Sequence, residues 1–542
     1  MIETVKLNLV LMKFIPRILT VLMLFLPFGV QAQFAGGSGT EGNPYQIETI
    51  EQLQAINNLD YLDKHFIQIA DIDASVTAEW NDGKGFEPIG DSNNPFTGSY
   101  DGGENIISNL FISRSSDNIG LFGYVEESTI ERLGLESSSI TGENSVGIII
   151  GYSFGGEVLH SFANGIVEGN SYVGAISGFH EDLADSEQYG NGSGRIYMSY
   201  AHAEVIGEKY VGGLLGLHSW VGTPDAVLDF RNTGIIQSFT FSTLSGDTLI
   251  GGLAGASFDS GLSESYWDIE TDGSQNADGA INDHYKVFGL STEQMTGQNA
   301  YIHMYRLDFE NTWQLTEGYP VLQWQEPVDA VEPPDVPILL AEQEVFDFGE
   351  VSEGESDTLE VSLINDGRAA MSVELSLAGE HPGSYSISGG AGPRTIEVGD
   401  TLFFDVIFTP ESVDQFPAIL QVNHDASNRD NPLLIALHGE GKTDSSTGNP
   451  VEVPEEVKLH QNFPNPFNPV TTIRFELPQS GLTRLSVYDI LGREVSILEN
   501  GLLLDGLHEV HFHANTLSSG MYLYRLQTPE ATIIESIANL GE

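Results

Sequence analysis

Several stretches of this chain hold residue types that can do chemistry. Gly151-Tyr152-Ser153-Phe154-Gly155 fits G-x-S-x-G, the pattern that presents a serine nucleophile in hydrolases. That chemistry needs a strand-to-helix turn in an α/β sheet. Here the match lies among short apolar phrases broken by glycine, and Gly255-Ala256-Ser257-Phe258-Asp259 is its counterpart further on. A repeat corner accounts for both, so no nucleophile is assigned. His508-Glu509-Val510-His511-Phe512-His513 approaches the H-E-x-x-H zinc pattern. It fails because the second ligand must stand four residues after the first, where Phe512 sits. Alternating Val510 and Phe512 mark a strand with one buried face, which leaves His511 and His513 on the other.

Asp71 and Asp73 share one face of a strand. Paired carboxylates hold calcium or divide the acid and base roles of a hydrolase. Ile69, Ile72 and Ala74 mark an ordinary strand, and no Arg or Lys cluster stands beside the acids as a lyase on acidic sugars requires. Asp272, Asn276, Asp278 and Asp283 form an acidic loop of irregular spacing, with oxygen ligands of the kind calcium takes. There is no phosphate-cradling glycine loop. The sequence thus assigns no catalytic, cofactor-binding or metal-ligating residue, with calcium as the one ion its acids would suit.

The elements that must position these groups are set by a repeat. Ile119-Gly120, Val146-Gly147, Val173-Gly174, Val211-Gly212 and Ile250-Gly251 each lead through apolar residues to a closing glycine: Gly123, Gly151, Gly178, Gly216 and Gly255. In four of the five units an aliphatic residue (Ile140, Val167, Val205, Leu244) and then a glycine (Gly142, Gly169, Gly207, Gly246) come first. That reads as strand, glycine turn, strand. A fixed period in the twenties marks a solenoid, in which aliphatic residues of successive units stack inside. The expected fold is all-β: a parallel β-helix, right-handed by the crossover rule, followed by two immunoglobulin-like β-sandwiches. The third and fourth units carry inserts at about Glu181 to Arg195 and Ser219 to Asn232, with His180, Asp182, Asp185, Glu187, Trp220, Asp225 and Asp229 in or beside them. Insertions of this kind map to loops, often on the binding face, so these are the first choice for a recognition surface.

Composition narrows the partners. Acidic residues outnumber basic ones 78 to 21, for a formal charge of −57. Phosphate binding needs a basic footprint, so nucleic acid is excluded, and anionic membrane surfaces are disfavoured. Such a charge favours solubility, including in salty water. There are no cysteines, hence no disulfides, thiolate zinc sites or cysteine nucleophiles.

Residues 1–32 read as a signal peptide. Lys6, Lys13 and Arg17 precede an apolar run from Ile18 to Phe28, and Val30-Gln31-Ala32 sets cleavage between Ala32 and Gln33. No transmembrane span is expected in the mature protein. Residues 33–325 hold the solenoid with its end caps. Thr49 with Gln52 is a capping-box pattern, and Leu53, Ile56, Leu59 and Leu62 share one helical face beyond it. Ser291 with Gln294 repeats the device near the other end, where Trp313, Tyr319 and Trp324 form a closing cluster. Residues 326–337 are an acidic, proline-rich linker. Residues 338–441 show closely spaced strand signals around the turn Asn365-Asp366-Gly367. A second linker, 442–456, leads to a last domain at 457–542.

Three family resemblances follow. Gly39-Thr40, Pro44-Tyr45-Gln46-Ile47, Pro95-Phe96-Thr97-Gly98, Asp101-Gly102 and Gly318-Tyr319-Pro320-Val321-Leu322, with the repeated phrases, resemble the GLUG-motif family of secreted bacterial proteins. Phe346-Asp347-Phe348-Gly349, Asn365-Asp366-Gly367 and Phe408-Thr409-Pro410 resemble the choice-of-anchor D family, commonly a spacer in surface proteins. Asn462-Phe463-Pro464-Asn465-Pro466-Phe467-Asn468-Pro469, then Leu491-Gly492-Arg493 and Gly520-Met521-Tyr522, closely resemble the C-terminal sorting domain of type IX secretion substrates. That resemblance implies Asn465, Pro466, Phe467, Asn468, Pro469, Gly492, Gly520 and Tyr522 as sorting-signal residues. It implies the type IX machinery as partner, and a secreted or outer-surface location in a Gram-negative, Bacteroidetes-like bacterium. Two functional readings result. One is a non-enzymatic, adhesin-like protein that binds glycans or other cell surfaces. The other is a secreted carbohydrate-active enzyme working in a β-helix groove.

Overall fold

The computed structural model describes residues 34–183, 194–221, 234–257, 261–274, 276–279, 286–390, 392–443, 457–462, 470–479, 481–489, 494–503, 506–513, 520–528 and 531–539. It is all-β, with 53% strand and 7% helix.

From the Val146-Gly147 unit onward, the repeats feed strands into three parallel sheets in the same order. The valine-glycine phrases form a four-stranded sheet of Asn144–Gly147, Ser171–Gly174, Lys209–Gly212 and Thr248–Gly251. The segments around the closing glycines form a five-stranded sheet of Phe122–Glu126, Ile150–Phe154, Ser177–Leu183, Leu215–Val221 and Ala254–Ser257. The remaining strands, including Phe162–Glu168 and Tyr200–Ile206, join a 16-stranded sheet. The repeat sheets are curled parallel half-barrels.

Register follows the repeat. Val146, Val173, Val211 and Ile250 are direct neighbours across the four-stranded sheet, and Ile119 bridges to Val146. Ile140, Val167, Val205 and Leu244 align the same way in the large sheet. The valines are fully buried, and each such side chain contributes roughly 1.5–3 kcal/mol by leaving water. A serine ladder marks a corner between strands: Leu133, Ser161, Ser199 and Ser238 each donate a backbone N–H to the hydroxyl of Ser161, Ser199, Ser238 and Ser265 in turn, at 3.1–3.2 Å.

The repeat glycines serve space rather than unusual dihedrals. Gly142, Gly169, Gly207 and Gly246 have no positive φ. A β-carbon on Gly216 would stand 2.3 Å from the Tyr172 backbone, because the two smaller sheets touch there. At Gly142, Gly169, Gly207 and Gly246 the expected turn dihedrals are absent, and a β-carbon would instead fall 2.7–2.9 Å from the valine side chains Val146, Val173 and Val211 of the four-stranded sheet.

The first cap holds over part of its predicted length. Thr49 caps the helix Ile50–Ala55 by accepting the Gln52 N–H, and Leu53, Ile56 and Leu62 are buried. The helix stops before Leu59, which is 69% exposed and not on its face. Ser291 and Gln294 do form reciprocal hydrogen bonds, but around a turn; the helix itself is Gly297–His303. Trp313, Tyr319 and Trp324 share one cluster with Phe162, Tyr200 and Phe239 of the large sheet, which the segment around them covers.

Beyond the linker, a four-stranded and a five-stranded sheet enclose a separate core that includes Leu363, Phe404, Leu375 and Ile435. Asn365 is buried there, its amide donating to the Ala369 and Ile396 carbonyls. A three-stranded and a four-stranded sheet at the C-terminus enclose a third core around Phe475, Leu485 and Tyr524.

Candidate functional site

The five-stranded sheet carries one inward-facing column that changes chemistry along its length. Direct pairing aligns Val125, Ser153, His180, His218 and Ser257, all at most 1% exposed. The rungs with histidine are those whose units carry the inserts. In these units the strands Ser177–Leu183 and Leu215–Val221 run 7 residues, against 5 for Ile150–Phe154 and 4 for Ala254–Ser257. The extra length brings Asp182 onto the same face as His180, two residues on.

Asp182 lies between the two imidazoles. His218 Nε2 hydrogen-bonds to its Oδ2 at 2.8 Å. His180 Nε2 stands 3.2 Å from Oδ1, at ion-pair distance but without hydrogen-bond alignment. The three side chains are 0–2% exposed. The Nδ1 atoms of both rings have no partner. Burial by itself pushes the Asp182 carboxyl up, but the charges and hydrogen bonds of the two histidines outweigh it and hold the carboxyl at about 2. Gly194 and Gly234, where the chain returns from the inserts, sit against the rings: a β-carbon would fall 2.2 Å from His180 Nε2 and 3.0 Å from His218 Cε1. Among the described residues no group of three such side chains is arranged to hold a metal ion.

Ser153, His180, Asp182 and His218 together supply the residue types of a hydrolytic triad, yet the geometry does not make one. Ser153 Oγ accepts the Gly156 N–H at 3.2 Å just past the end of its own strand, and all four residues are closed off from solvent. The serine of G-x-S-x-G is a core position, as its place in the repeat implies.

The remaining sequence candidates fall elsewhere. Asp71 and Asp73 both face outward, and each binds backbone: Asp71 accepts the Ile106 N–H at 2.8 Å and Asp73 the Ser75 N–H at 3.0 Å. The Asn109 amide and then the Ser75 backbone hold the Asp73 carboxyl below its ordinary range. In the acidic loop, Asn276 O and Ala277 O accept the Gly252 and Leu253 N–H groups, so this stretch continues the repeat stack, and Asp278 is buried. The Asp272 side chain, Asp283, Asp185, Glu187, Asp225, Asp229 and the Trp220 side chain lie outside the described residues, as do Ala32 and Gln33. Gly506–His513 is a strand, with Phe512 buried and the His508 ring stacked on Phe475; the side chains of His511 and His513 are not described.

His218 was absent from the sequence candidates. A signal existed: Phe179-His180 recurs as Leu217-His218 at the same place in the next unit. Tyr124, Tyr152 and Phe179 of the five-stranded sheet and Tyr172 and Tyr210 of the four-stranded sheet make a continuous chain of ring contacts, with centroids 4.6–5.5 Å apart. Tyr152 also donates to Glu181. Tyr124 and Tyr152 lie face to face at 10°, and the ring contacts link successive repeats.

In the C-terminal unit, Gly520–Gln527 is a central strand with Tyr522 and Tyr524 buried. Tyr524 Oη donates to the His460 carbonyl at 2.8 Å and accepts the Asn462 N–H at 2.9 Å, which ties the segment before Asn465 to the core. Asn465 to Pro469 and Gly492 lie outside the described residues. Residues 461–538 match the family described as secretion system C-terminal sorting domain. The last unit is a type IX sorting domain. Its presence makes this a secreted or cell-surface protein of a Bacteroidetes-type bacterium, handled by the type IX system. Among the described residues no helix is long and apolar enough to cross a membrane.

Two curated relatives resemble parts of the chain. One is halomucin of Haloquadratum walsbyi, 30% identical over 312 residues, 53% of this chain and 3% of that protein. Another is a putative Gly-rich membrane protein of Evansella cellulosilytica, 40% identical over 127 residues, 22% of this chain and 15% of that protein. The chain therefore spans only a small part of either relative. Similar solved structures include the E. coli chaperone DraB, at 14% identity and a TM-score of 0.22 over 38% of this chain and 98% of that one. A Porphyromonas gingivalis protein of unknown function matches at 9% identity and a TM-score of 0.18 over 38% and 99%. Likenesses of this degree say nothing of function.

Proposed function

We propose that this is an adhesin-like binding protein of the cell surface or its surroundings, without catalytic activity, whose recognition surface is built by the two inserts. One observation carries the reading. The inserts leave from directly paired residues, Leu183 and Val221, and return to directly paired residues, Arg195 and Gly234. Paired strands stand about 4.8 Å apart, so the points where the two inserts leave the five-stranded sheet lie side by side, as do the points where they rejoin the large sheet. His180, Asp182 and His218, in the strands from which the inserts leave, are buried, which suits a platform better than a catalytic cleft.

We infer the rest of the arrangement from the repeat order. Residues 33–325 wind as a right-handed parallel β-helix of the GLUG type, since each unit enters the three sheets in the same sequence. Residues 338–441 act as a spacer of the choice-of-anchor D kind, and residues 1–32 are the signal peptide cleaved after Ala32. Candidate ligands are glycans and neighbouring cell surfaces. The test screens the purified full chain on immobilised glycans and assays the same glycans for new reducing ends. Retention that is lost when residues 184–193 and 222–233 are replaced by short glycine-serine turns is the expected result. Release of reducing ends would overturn the proposal in favour of a carbohydrate-active enzyme. Deleting residues 457–542 is expected to trap the protein in the periplasm.

A further inference from the structure

We propose that the solenoid and the sandwich beyond it move as one rigid body, locked at their junction by Glu342 held between Lys286 and Arg306. Tandem domains in one chain ordinarily move relative to each other unless a large apolar interface joins them. Here the join is made by a pinned strap and an ionic clamp. The inference goes beyond the adhesin-like reading and does not depend on it.

The strap is the stretch that the sequence marks as a linker, 326–337. Its first half is bound to the closing segment of the solenoid. Glu317 donates its N–H to the Asp329 carbonyl at 3.1 Å and Val331 donates to the Leu315 carbonyl at 2.9 Å. The Gln298 amide reaches the Glu332 carbonyl at 2.9 Å, and Val331 packs against the same apolar cluster as Trp313. The second half is bound to the sandwich. Arg368 donates its N–H to the Val336 carbonyl at 2.8 Å, and Ser427 donates to the Pro337 carbonyl at 3.0 Å. Only Pro333, Pro334 and Asp335 remain between the two sets of bonds. Adjacent prolines have fixed φ angles, so this bridge is short and stiff.

The clamp joins the same two bodies. Glu342 stands in the loop before the strand Val345–Ser352 and offers one oxygen to each cation. Lys286 Nζ lies 2.9 Å from Oε2, and the Arg306 guanidinium donates to Oε1 at 3.0 Å. Lys286 also donates to the Glu342 carbonyl at 3.3 Å. Both cations are fixed on the solenoid side. Lys286 lies just before the strand Phe288–Leu290. Arg306 donates its backbone N–H to the buried Tyr266 hydroxyl at 3.0 Å, and its guanidinium stands 3.6 Å from Glu264. The Arg306 and Lys286 side chains are 7% and 14% exposed, unlike the open surface pairs that contribute almost nothing. Burial alone pushes the Glu342 carboxyl up, but hydrogen bonds from Lys286 and Arg306 outweigh it and hold the group at about 2.

Two further contacts cross the junction. Tyr301 Oη donates to the Asp366 carbonyl at 3.5 Å, and the Arg429 guanidinium stands 5.9 Å from the centre of the Tyr305 ring. A cavity of about 430 Å³ lies between them, lined by Tyr305, Phe309, Pro333 and Arg368 among others. Apolar packing does not fill the junction, so the charges and the strap carry the join.

The absence of cysteine allows spin labels to be placed at chosen sites. Thr243→Cys in the solenoid and Glu374→Cys in the sandwich, both exposed positions, give an inter-label distance distribution by double electron–electron resonance on the full chain. With the junction intact, one narrow peak is expected. Glu342→Lys sets like charges against both cations and should broaden the peak about twofold, as should Lys286→Glu, because the short bridge is then the main constraint left. A broad distribution with the junction intact overturns the rigid body. A peak that both variants leave narrow overturns the clamp. If the variants fail to fold by circular dichroism, hydrogen exchange on the wild type decides. Amides of Val331 and Arg368 as protected as the strand Asp357–Asn365 support the junction, and exchange at the unprotected rate overturns it. A negative glycan screen leaves these results standing, so the two readings fail separately.

Discussion

Replacing Asp182 by asparagine keeps the shape of the buried site and removes its charge. The folded carboxyl lies at about 2 against an ordinary 3.8. Each pK unit corresponds to about 1.4 kcal/mol, so the charged form stabilises the fold by about 2 kcal/mol. A second route gives a similar figure: removing one member of a buried, hydrogen-bonded charge group costs about 3–5 kcal/mol when the partners stay behind. The expected loss at pH 7 is therefore about 2–4 kcal/mol. The sign with pH follows from the depressed value. Stability due to this carboxylate is complete above pH 3.8 and is lost as pH falls through about 2. Asp182→Asn should remove that part of the acid limb. Urea unfolding followed by tryptophan fluorescence reads the effect in the correct region, because Trp80, Trp220, Trp267, Trp313 and Trp324 all precede residue 338. A loss below about 0.5 kcal/mol, the usual size for an ordinary surface substitution, would refute the reasoning. So would an acid limb between pH 4 and pH 2 that matches wild type.

Other perturbations reach different parts of the molecule. Gly178→Ala places a methyl 2.3 Å from the Val146 backbone nitrogen and should cost about 1–3 kcal/mol; Gly383→Ala, with open space around it, should stay within about 0.5 kcal/mol by the same urea method followed by circular dichroism. Tyr524→Phe removes the buried hydroxyl that accepts the Asn462 N–H and donates to the His460 carbonyl and should lower the stability of the sorting domain by about 1–3 kcal/mol, seen as faster proteolysis between residues 443 and 528. With a formal charge of −57, self-repulsion should fall as salt screens it, so the thermal midpoint should rise by several degrees between about 0.01 M and 1 M sodium chloride; a flat or falling midpoint in calorimetry would count against this.

The sequence by itself determined the periodic parts. Val146, Val173 and Val211 recur at matching points of the repeat and prove to be paired neighbours, because stacked units must put like residues at like places. It also marked Ser153 as a core position rather than a nucleophile, since its phrase is a unit of that repeat. The sorting domain was legible from phrases such as Gly520-Met521-Tyr522, which belong to its family match. Local pattern failed where length and space decided: helical spacing reached Leu59, but the helix ends before it, and the glycines proved to be there for clearance. Only the tertiary structure joined Asp182 to His218, which lies 36 residues away. The recurrence of Phe179-His180 as Leu217-His218 marks the pairing of the two histidines, but no local pattern places Asp182 between them. That contact exists because the parallel register sets His180 directly beside His218 and the lengthened strand carries Asp182 between them, inside a stack that keeps water out.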